Sequence, residues 1–352
     1  MLIYGVYGYT GELVLAEALR RGMRPILAGR NAPALERLAE RHDLPFRAFS
    51  LDEPRTVASA VRGAGAVLHC AGPFVHTSRA MVDACLATGV HYLDITGEIA
   101  VFEAILVRGK EARSAGVVLL PGVGFDVVPT DCLALRLKER LPDATHLELA
   151  FVAEGGRMSR GTQRTRIASL PLAGAERVDG EIRPTGLAER TREIDLPAGR
   201  RLVVSIPWGD VATAFHTTGI PNVRVSTGIP PRALARMRRW RFLLPLTRLG
   251  AVRRMLLRRV DRQPPGPDEA TRRTARIQIW GEARNAAGRF VRSTFSMPEG
   301  YAFTALSAVE ALSRVVAGEV APGAWTPARA FGARFVFGCD GVDPAVDEDG
   351  SV

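Results

Sequence analysis

The first thirty residues constrain the fold of this chain more than any other stretch of its 352 residues. A short apolar strand at 2–4 is followed by a turn with three glycines, Gly5, Gly8 and Gly11. Apolar residues at helical spacing then predict a helix at 12–21, and a second apolar strand follows at 25–28. This order predicts a site for the diphosphate of a dinucleotide, because N–H groups at a helix N-terminus bind phosphate when no Cβ atom blocks it.

The end of the second predicted strand distinguishes between the two nicotinamide dinucleotides. NAD-binding domains usually have an Asp or Glu there, whereas an Arg accommodates the 2′-phosphate of NADP. This chain has Gly29, Arg30 and Asn31 at that point, and the next carboxylate is Glu36. The pattern predicts NADP, with Arg30 on the 2′-phosphate and Asn31 as a helper. The alternative is a solvated surface arginine in an arginine-rich chain.

Strands and helices alternate with short links up to about residue 120. Further helices are predicted at 32–42, 52–62, 78–88 and 102–114, and further strands at 46–49, 66–70, 90–93 and 117–120. The alternation predicts an α/β fold with a doubly wound parallel sheet of the Rossmann type. Because ligands bind outside the carboxyl ends of such strands, the loops at 71–74, 94–98 and 122–131 are the predicted site. Each loop taken alone could be an ordinary Gly-Pro turn.

The pattern changes after residue 131. A helix is predicted at 132–141, and strands at 146–153, 181–196, 201–206, 222–227, 275–283 and 289–296. Turn residues between the last two predict a hairpin, so this part is expected to be a second α+β domain with a mostly antiparallel sheet. We expect residues 341–352 to form a frayed acidic tail.

Composition bounds the class of protein. The net charge of +10 comes almost wholly from arginine, because Lys110 and Lys138 are the only lysines. We recognise no signal peptide, no apolar run of membrane-spanning length and no C-x-x-C pair, so a cytoplasmic protein is expected, with peripheral membrane contact as a second option. The metalloprotease, P-loop and serine-hydrolase motifs are missing from the sequence, so no metal site is predicted.

Five segments after the predicted strands carry a resemblance to a known family. They are G-V-Y-G-Y-T-G (5–11), A-G-R-N (28–31), C-A-G-P-F (70–74), H-Y-L-D-I-T-G-E (91–98) and G-F-D-V-V-P-T-D (124–131). With them the chain resembles the saccharopine dehydrogenase-like oxidoreductases, which include the trans-acting enoyl reductases of polyketide and lipid pathways. The resemblance is strong over about 1–135 and weak at 159–162 and 298–331. The chain departs from the family at Val6-Tyr7 and at the His69-Cys70 pair.

The resemblance implies a domain organisation and a set of cofactor residues. Residues 1–130 would be the dinucleotide-binding domain, completed by 300–340, and 131–299 a substrate and oligomerisation domain that covers the nicotinamide. A homodimer is expected. The predicted cofactor-binding residues are Gly5, Tyr7, Gly8, Tyr9, Thr10, Gly11, Arg30, Asn31, Cys70, Ala71, Gly72, Pro73, Gly97 and Phe125.

Hydride transfer often needs a proton donor near the ends of the strands. The predicted catalytic residues are Tyr92, Asp94, Glu98 and Asp126. For Glu98 the alternative is a helix-capping role together with Thr96, and for Asp126 it is orientation of ribose or substrate. His91 is interpreted as a buried strand residue.

The segment 232–262 holds eleven arginines among large apolar residues, and Asp261 is its only acidic residue. A basic amphipathic helix can lie on an anionic membrane or contact an acidic partner such as an acyl carrier protein. The alternative is a pair of ordinary helices with solvated arginines. Nucleic acid is not expected as a partner, because aromatic residues are sparse.

Three classes of function remain open from the sequence. The first is an NADPH-dependent reductase of an activated C=C bond in a carrier-bound or lipid-like substrate, as the resemblance implies. The second is an imine or C–N reductase or amino-acid dehydrogenase, in which Arg157, Arg160, Arg164 and Arg166 could bind carboxylates. The third is a non-catalytic cofactor-binding or lipid-associated protein. We favour the first.

Overall fold

A parallel sheet and a mixed sheet each organise one part of the chain, of which the computed structural model describes residues 1–169 and 173–351. The first unit comprises residues 1–128 and 300–331, and the second unit comprises residues 129–299 and the chain after 331. Residues 332–340, which we expected to complete the dinucleotide-binding domain, lie in the second unit.

The described strands are β1 (Leu2–Tyr4), β2 (Ile26–Gly29), β3 (Phe46–Ala48), β4 (Ala66–His69), β5 (His91–Asp94), β6 (Val118–Leu120), β7 (His146–Glu154), β8 (Gly174–Val178), β9 (Glu181–Thr185), β10 (Thr191–Ile194), β11 (Arg201–Ser205), β12 (Asn222–Gly228), β13 (Arg276–Arg284), β14 (Arg289–Pro298), β15 (Gly323–Ala324) and β16 (Val346–Ser351). The described helices are α1 (Tyr9–Arg20), α2 (Ala32–His42), α3 (Pro54–Val61), α4 (Phe74–Thr88), α5 (Ile99–Leu106), α6 (Gly109–Ser114), α7 (Val128–Arg140), α8 (Arg160–Ser169), α9 (Asp210–Thr218), α10 (Pro231–Trp240), α11 (Gly250–Asp261), α12 (Glu269–Thr274), α13 (Gly300–Val316) and α14 (Pro327–Phe331), with 3₁₀ helices at Arg241–Arg248 and Phe335–Gly338.

The first unit contains a parallel sheet of seven strands in the order β15-β6-β5-β4-β1-β2-β3. Its central strands β1, β4 and β5 are almost wholly buried, and Ile3, Leu68 and Leu93 are fully buried, as expected for strands covered on both faces. The strand order reverses between β1 and β4, which is where doubly wound sheets bind ligands. The predicted Rossmann-type fold is confirmed.

The second unit contains a mixed sheet whose main path is β10-β11-β12-β7-β13-β14-β16. Only β12 and β7 pair in parallel along this path, so the predicted mostly antiparallel sheet is confirmed. Strand β8 pairs with β12 and with β9 beside the path. The hairpin predicted near 285–288 is the β13–β14 connection, where the Asn285 Oδ1 atom accepts hydrogen bonds from the N–H groups of Ala287 and Arg289.

The acidic C-terminal segment is a strand, so the prediction of a frayed tail is wrong. Strand β16 pairs antiparallel with β14 along its whole length. Its side chains alternate, and Asp347 and Asp349 form ion pairs with Arg136 and Arg140 of α7. Residues distant in the chain thus neutralise the acidic segment, and this partnership cannot be seen in its local sequence.

One polar face of the mixed sheet carries ion pairs that link several strands. Glu282 on β13 is only 4% exposed and binds the guanidinium groups of Arg192 and Arg292 at 2.9 and 2.7 Å. Glu148 on β7 in turn binds Arg192 and Arg224 at 2.8 and 3.0 Å. The buried Glu282 carboxylate is therefore satisfied by charged donors from β10, β14 and its own strand, since Arg284 also pairs with it at 3.2 Å.

None of the helices in residues 1–169 and 173–351 is long and apolar enough to cross a bilayer.

Replacing Glu282 with Gln should lower the free energy of unfolding by about 2–4 kcal/mol, because Arg192 and Arg292 would lose the counter-ion they share. Urea denaturation measures the change. The matched variant Glu348→Gln removes a partner of Arg292 that is 60% exposed, and it should cost about 0–1 kcal/mol. If Glu282→Gln and Glu348→Gln lost the same unfolding free energy, the burial of Glu282 would not be the reason for its contribution.

Candidate active site

The turn between β1 and α1 is wound so tightly that it requires glycine. Gly5 has a φ of +82°, and its carbonyl oxygen accepts a hydrogen bond of 3.0 Å from the N–H group of Gly8. A Cβ atom on Gly11 would lie 2.3 Å from the same oxygen. Helix α1 has no side-chain cap at Gly8, so no capping side chain covers its N-terminus. This geometry fits a diphosphate.

The loop after β4 lies directly against this turn. A Cβ atom on Gly5 would lie 2.8 Å from the Cβ atom of Ala71, and the N–H group of Cys70 donates to the carbonyl oxygen of Tyr4. The Thr77 hydroxyl donates to the carbonyl oxygens of Ala71 and Pro73, which holds the loop in place. The glycine turn and the 70–73 loop, both predicted from sequence, therefore lie side by side at the switch point of the sheet.

Arg30 lies exposed at the end of β2, and its guanidinium has no carboxylate partner in the described part of the chain. Asn31 caps α2, because its Oδ1 atom accepts a 3.2 Å hydrogen bond from the N–H group of Ala34. An unpaired guanidinium beyond the second strand fits the 2′-phosphate of NADP.

Tyr7, one of the predicted cofactor-binding residues, contacts the end of β2. Its hydroxyl accepts hydrogen bonds of 3.2 and 3.3 Å from the N–H groups of Arg30 and Asn31. Its ring covers Gly29 so closely that a Cβ atom there would lie 2.5 Å from Tyr7 Cε1. Tyr7 therefore orders the end of β2, beside Arg30.

Asp94 and Tyr92 lie in the interior beneath the loops. Asp94 has no exposed surface, and it accepts hydrogen bonds of 2.7 Å from the Tyr92 hydroxyl and 2.9 Å from the N–H groups of Thr96 and Gly122. Burial raises the pKa of Asp94 to about 6, against the effect of these donors, and also raises the pKa of Tyr92. The structure thus buries both residues beneath the loops, where their hydrogen bonds support the loops after β5 and β6.

Glu98 also has a structural partner. Its two carboxylate oxygens accept hydrogen bonds of 2.7 and 2.9 Å from the N–H groups of Phe74 and Val75, the first residues of α4. The Thr96 hydroxyl in turn accepts a hydrogen bond of 3.1 Å from the N–H group of Glu98. The capping role, stated above as the alternative for Glu98, is the one that the structure supports. It also explains why α4 begins at Phe74, four residues before the predicted start.

Among the predicted catalytic carboxylates, Asp126 is the one that remains available to contact a substrate. Its side chain is half-buried and makes no hydrogen bond or ion pair within the described ranges. Burial and the nearby charge of Glu98 raise the pKa of Asp126 to about 7. A Cβ atom on Gly97 would lie 2.6 Å from its Oδ2 atom, so only glycine at 97 leaves room for this carboxylate. Phe125, beside it, is held by a 3.0 Å hydrogen bond from its N–H group to the Thr304 hydroxyl of α13.

His69 is the residue at which the chain departs from the family pattern before the 70–73 loop. It ends β4, is fully buried, and contacts the rings of Tyr4 and Phe74 with centroid distances of 5.4 and 5.3 Å. Burial lowers the pKa of His69 to about 3, so the ring is neutral at physiological pH. Its Nε2 atom is buried without a hydrogen-bond partner. His91 lies in β5 as predicted but is half-buried and not buried, and its Nδ1 atom accepts a hydrogen bond from the N–H group of Val118.

Metal ligands do not cluster here. Among the described residues no group of three or more His, Cys, Asp or Glu side chains is arranged to hold a metal ion.

Comparison with known proteins gives one family match, over residues 1–120, to the saccharopine dehydrogenase NADP binding domain. The chain is 30% identical over 150 residues to the trans-acting enoyl reductase of Mycobacterium leprae (strain TN), covering 40% of this chain and 36% of that protein. It is 26% identical over 161 residues to the human saccharopine dehydrogenase-like oxidoreductase, covering 40% and 38%. The chain thus matches well under half the length of these relatives. The family match confirms the prediction of an NADP-binding domain.

A solved structure extends the likeness in fold to the whole chain. The saccharopine dehydrogenase (L-Glu forming) of Saccharomyces cerevisiae superposes with a TM-score of 0.67, and 99% of each chain is covered. The sequences are only 9% identical, so this likeness concerns the fold alone.

Replacing Glu98 with Ala should lower the free energy of unfolding by about 1–2 kcal/mol, because the first turn of α4 loses its acceptors. Glu98→Gln keeps one acceptor and should lose less. Urea denaturation measures both, with Glu40→Ala on the exposed side of α2 as the control. A Glu98→Ala variant as stable as the control would disprove the capping role.

Proposed function

We propose that this chain, whose residues 1–120 belong to the saccharopine dehydrogenase NADP-binding domain family, is an NADPH-dependent oxidoreductase that reduces an activated C=C bond. The substrate class we propose is a carrier-bound or lipid-like enoyl compound. The observation that carries the proposal is the combination of an uncapped α1 N-terminus with the unpaired Arg30 one strand away.

The residues at the glycine turn and at the end of β2 are suited to the two phosphate-bearing parts of NADPH. The first turn of α1 would hold the diphosphate and Arg30 the 2′-phosphate, with Tyr7 supporting the backbone of Arg30. When bound, NADPH supplies a hydride. This chain's own part in the reaction is to bind and orient the cofactor and to provide a proton.

Asp126 is the residue we assign to that proton. With a pKa raised to about 7, its carboxyl group is partly protonated at neutral pH, which suits a general acid. Reduction of an enoyl thioester adds a hydride at the β carbon and a proton at the α carbon. Asp126 would donate that proton and recover it from water.

The alternative of amino-acid chemistry has less support from the second unit. Arg157 donates two hydrogen bonds to the carbonyl oxygen of Gly266, and Arg160 donates to that of Gln263. Arg164 pairs with Asp261 at 2.5 Å. These guanidinium groups hold α8 to the segment 261–266 and do not converge on a position for a substrate carboxylate. The name of the mycobacterial relative, an enoyl reductase, also favours the C=C substrate.

Replacing Arg30 with Ala should weaken NADPH binding roughly tenfold or more and leave NADH binding nearly unchanged, because a charge-assisted contact to the 2′-phosphate is lost. Fluorescence titration with both nucleotides measures the preference. Arg37→Ala removes an exposed arginine of α2 and serves as the control. If the wild type binds neither nucleotide, the chain is a non-catalytic protein and the proposal fails.

Replacing Asp126 with Asn should lower kcat for an enoyl thioester by about 10²–10⁴-fold, with NADPH affinity unchanged. In the wild type the protonated carboxyl is the active form, so kcat should fall as the pH rises through about 7. The variant should lack this dependence. The rate of NADPH oxidation with an enoyl thioester measures kcat and its pH dependence in the wild type and the variant. The same assay with a keto acid plus an amine tests the amino-acid alternative. NADPH oxidation with the keto acid plus an amine, but not with an enoyl thioester, would favour amino-acid chemistry.

A further inference from the structure

The basic segment, residues 231–262, gathers much of the exposed apolar surface of the chain. Eleven large hydrophobic side chains are exposed in the described residues. Five of them fall within sixteen consecutive positions of this segment: Trp240, Phe242, Leu246, Leu249 and Met255, with exposures of 51, 67, 46, 55 and 62%. The others are scattered singly, as on ordinary protein surfaces. A concentration of this kind marks an interaction surface.

The two ends of the basic segment are attached to the second unit. On α10, Leu234 is buried with Ala188 and Val204. On α11, Val260 is buried, and Asp261 forms its ion pair with Arg164 of α8. Between these attachments the five side chains given above are exposed to water, whereas Leu244, Val252, Leu256 and Leu257 are half-buried. The side chains of residues 241, 243, 245 and 248 lie outside the described set, and Leu243 of the predicted apolar stripe is among them.

The arginines of the segment are unlike those of the mixed sheet. Eight exposed guanidinium groups have no carboxylate or hydrogen-bond partner among the described residues: Arg232, Arg236, Arg239, Arg253, Arg254, Arg258, Arg259 and Arg262. Arg238 alone of the described ones bonds to the protein, at Ala188 and Thr191. The only carboxylate of the segment, Asp261, is already paired. The segment therefore presents uncompensated positive charge on both sides of its exposed apolar residues.

We propose that the basic segment docks this protein on a membrane surface that contains anionic phospholipid. Trp240 and Phe242, whose ring centroids are 6.1 Å apart, together with Leu246, Leu249 and Met255 would enter the boundary between headgroups and acyl chains. The arginines around them would bind lipid phosphates. An acidic soluble protein would neutralise the arginines but would need an apolar groove for these exposed side chains, whereas a bilayer accepts them wherever they project. The proposal does not depend on the reaction assigned above.

Vesicle flotation with the full chain tests the proposal. The probes are phosphatidylcholine vesicles with and without phosphatidylserine. Binding is expected only to the vesicles with phosphatidylserine and should weaken as salt is added. Arg239→Glu/Arg253→Glu should reduce the partition coefficient about 25-fold or more, at about fivefold for each arginine. Trp240→Ser/Phe242→Ser should reduce it by roughly tenfold or more.

Two matched variants control for charge and for apolar surface elsewhere. Arg37→Glu/Arg62→Glu reverses two exposed, unpartnered arginines of the first unit, and Val107→Ser removes a side chain that is 73% exposed. Both should bind vesicles like the wild type. Brominated lipids provide a second readout, because they should quench the fluorescence of the wild type and quench Trp240→Phe much less, while that variant still floats.

Three results of the vesicle experiments would overturn the proposal. They are no binding to either kind of vesicle, equal binding to both kinds, and unchanged binding by the variants of the basic segment. Binding of an acidic carrier protein that depends on the same arginines, without vesicle binding, would also overturn it and assign the surface to a protein partner. NADPH affinity, measured on the same samples, should not change in any segment variant, so failure here is distinct from failure of the proposed reductase function.

Discussion

The buried carboxylate of Asp94 is the group on which the carboxyl edge of the parallel sheet depends. Placing a carboxylate in the interior is costly unless donors compensate for lost water, and here the Tyr92 hydroxyl and two backbone N–H groups do so. One of those N–H groups follows β5 and the other follows β6. Through Thr96 the same arrangement reaches Glu98, which caps α4. Three loops that border the candidate site thus share one connected set of hydrogen bonds.

These hydrogen bonds lie beneath the loops at the carboxyl ends of the strands. They leave other groups at these strand ends available to a ligand. Asp94, Tyr92 and Glu98 have their hydrogen-bond partners, whereas α1 has no side-chain cap at Gly8, and Arg30 and Asp126 have no ion-pair partner among the described residues. Buried polar groups normally find partners, so groups left without them at the switch point of a sheet mark where a ligand belongs. His69, neutral and with an unpartnered Nε2 atom, lies at the same edge at the end of β4.

Arginine has two distinct uses in the second unit. On the mixed sheet, arginines such as Arg192 and Arg292 pair with Glu282 and join strands, and Arg136 and Arg140 hold the acidic β16. In the basic segment eight arginines are exposed and have no partner among the described residues, and exposed aromatic rings lie in the same segment. Composition and net charge alone cannot distinguish these uses, because an arginine in an ion pair and an exposed, unpaired arginine add equally to the arginine count and to the net charge.

The sequence by itself determined the features that depend on neighbouring residues. Alternation of apolar strands and helices predicted the parallel sheet, and the glycine turn and Arg30 predicted the NADP site, because spacing and turn chemistry are local. The tertiary structure decided which polar side chains are supports and which are available. Glu98 caps a helix 24 residues earlier in the chain, Tyr7 bonds to a backbone 23 and 24 residues away, and β16 pairs with β14. Such partners meet only when the chain folds, so no local pattern contains them.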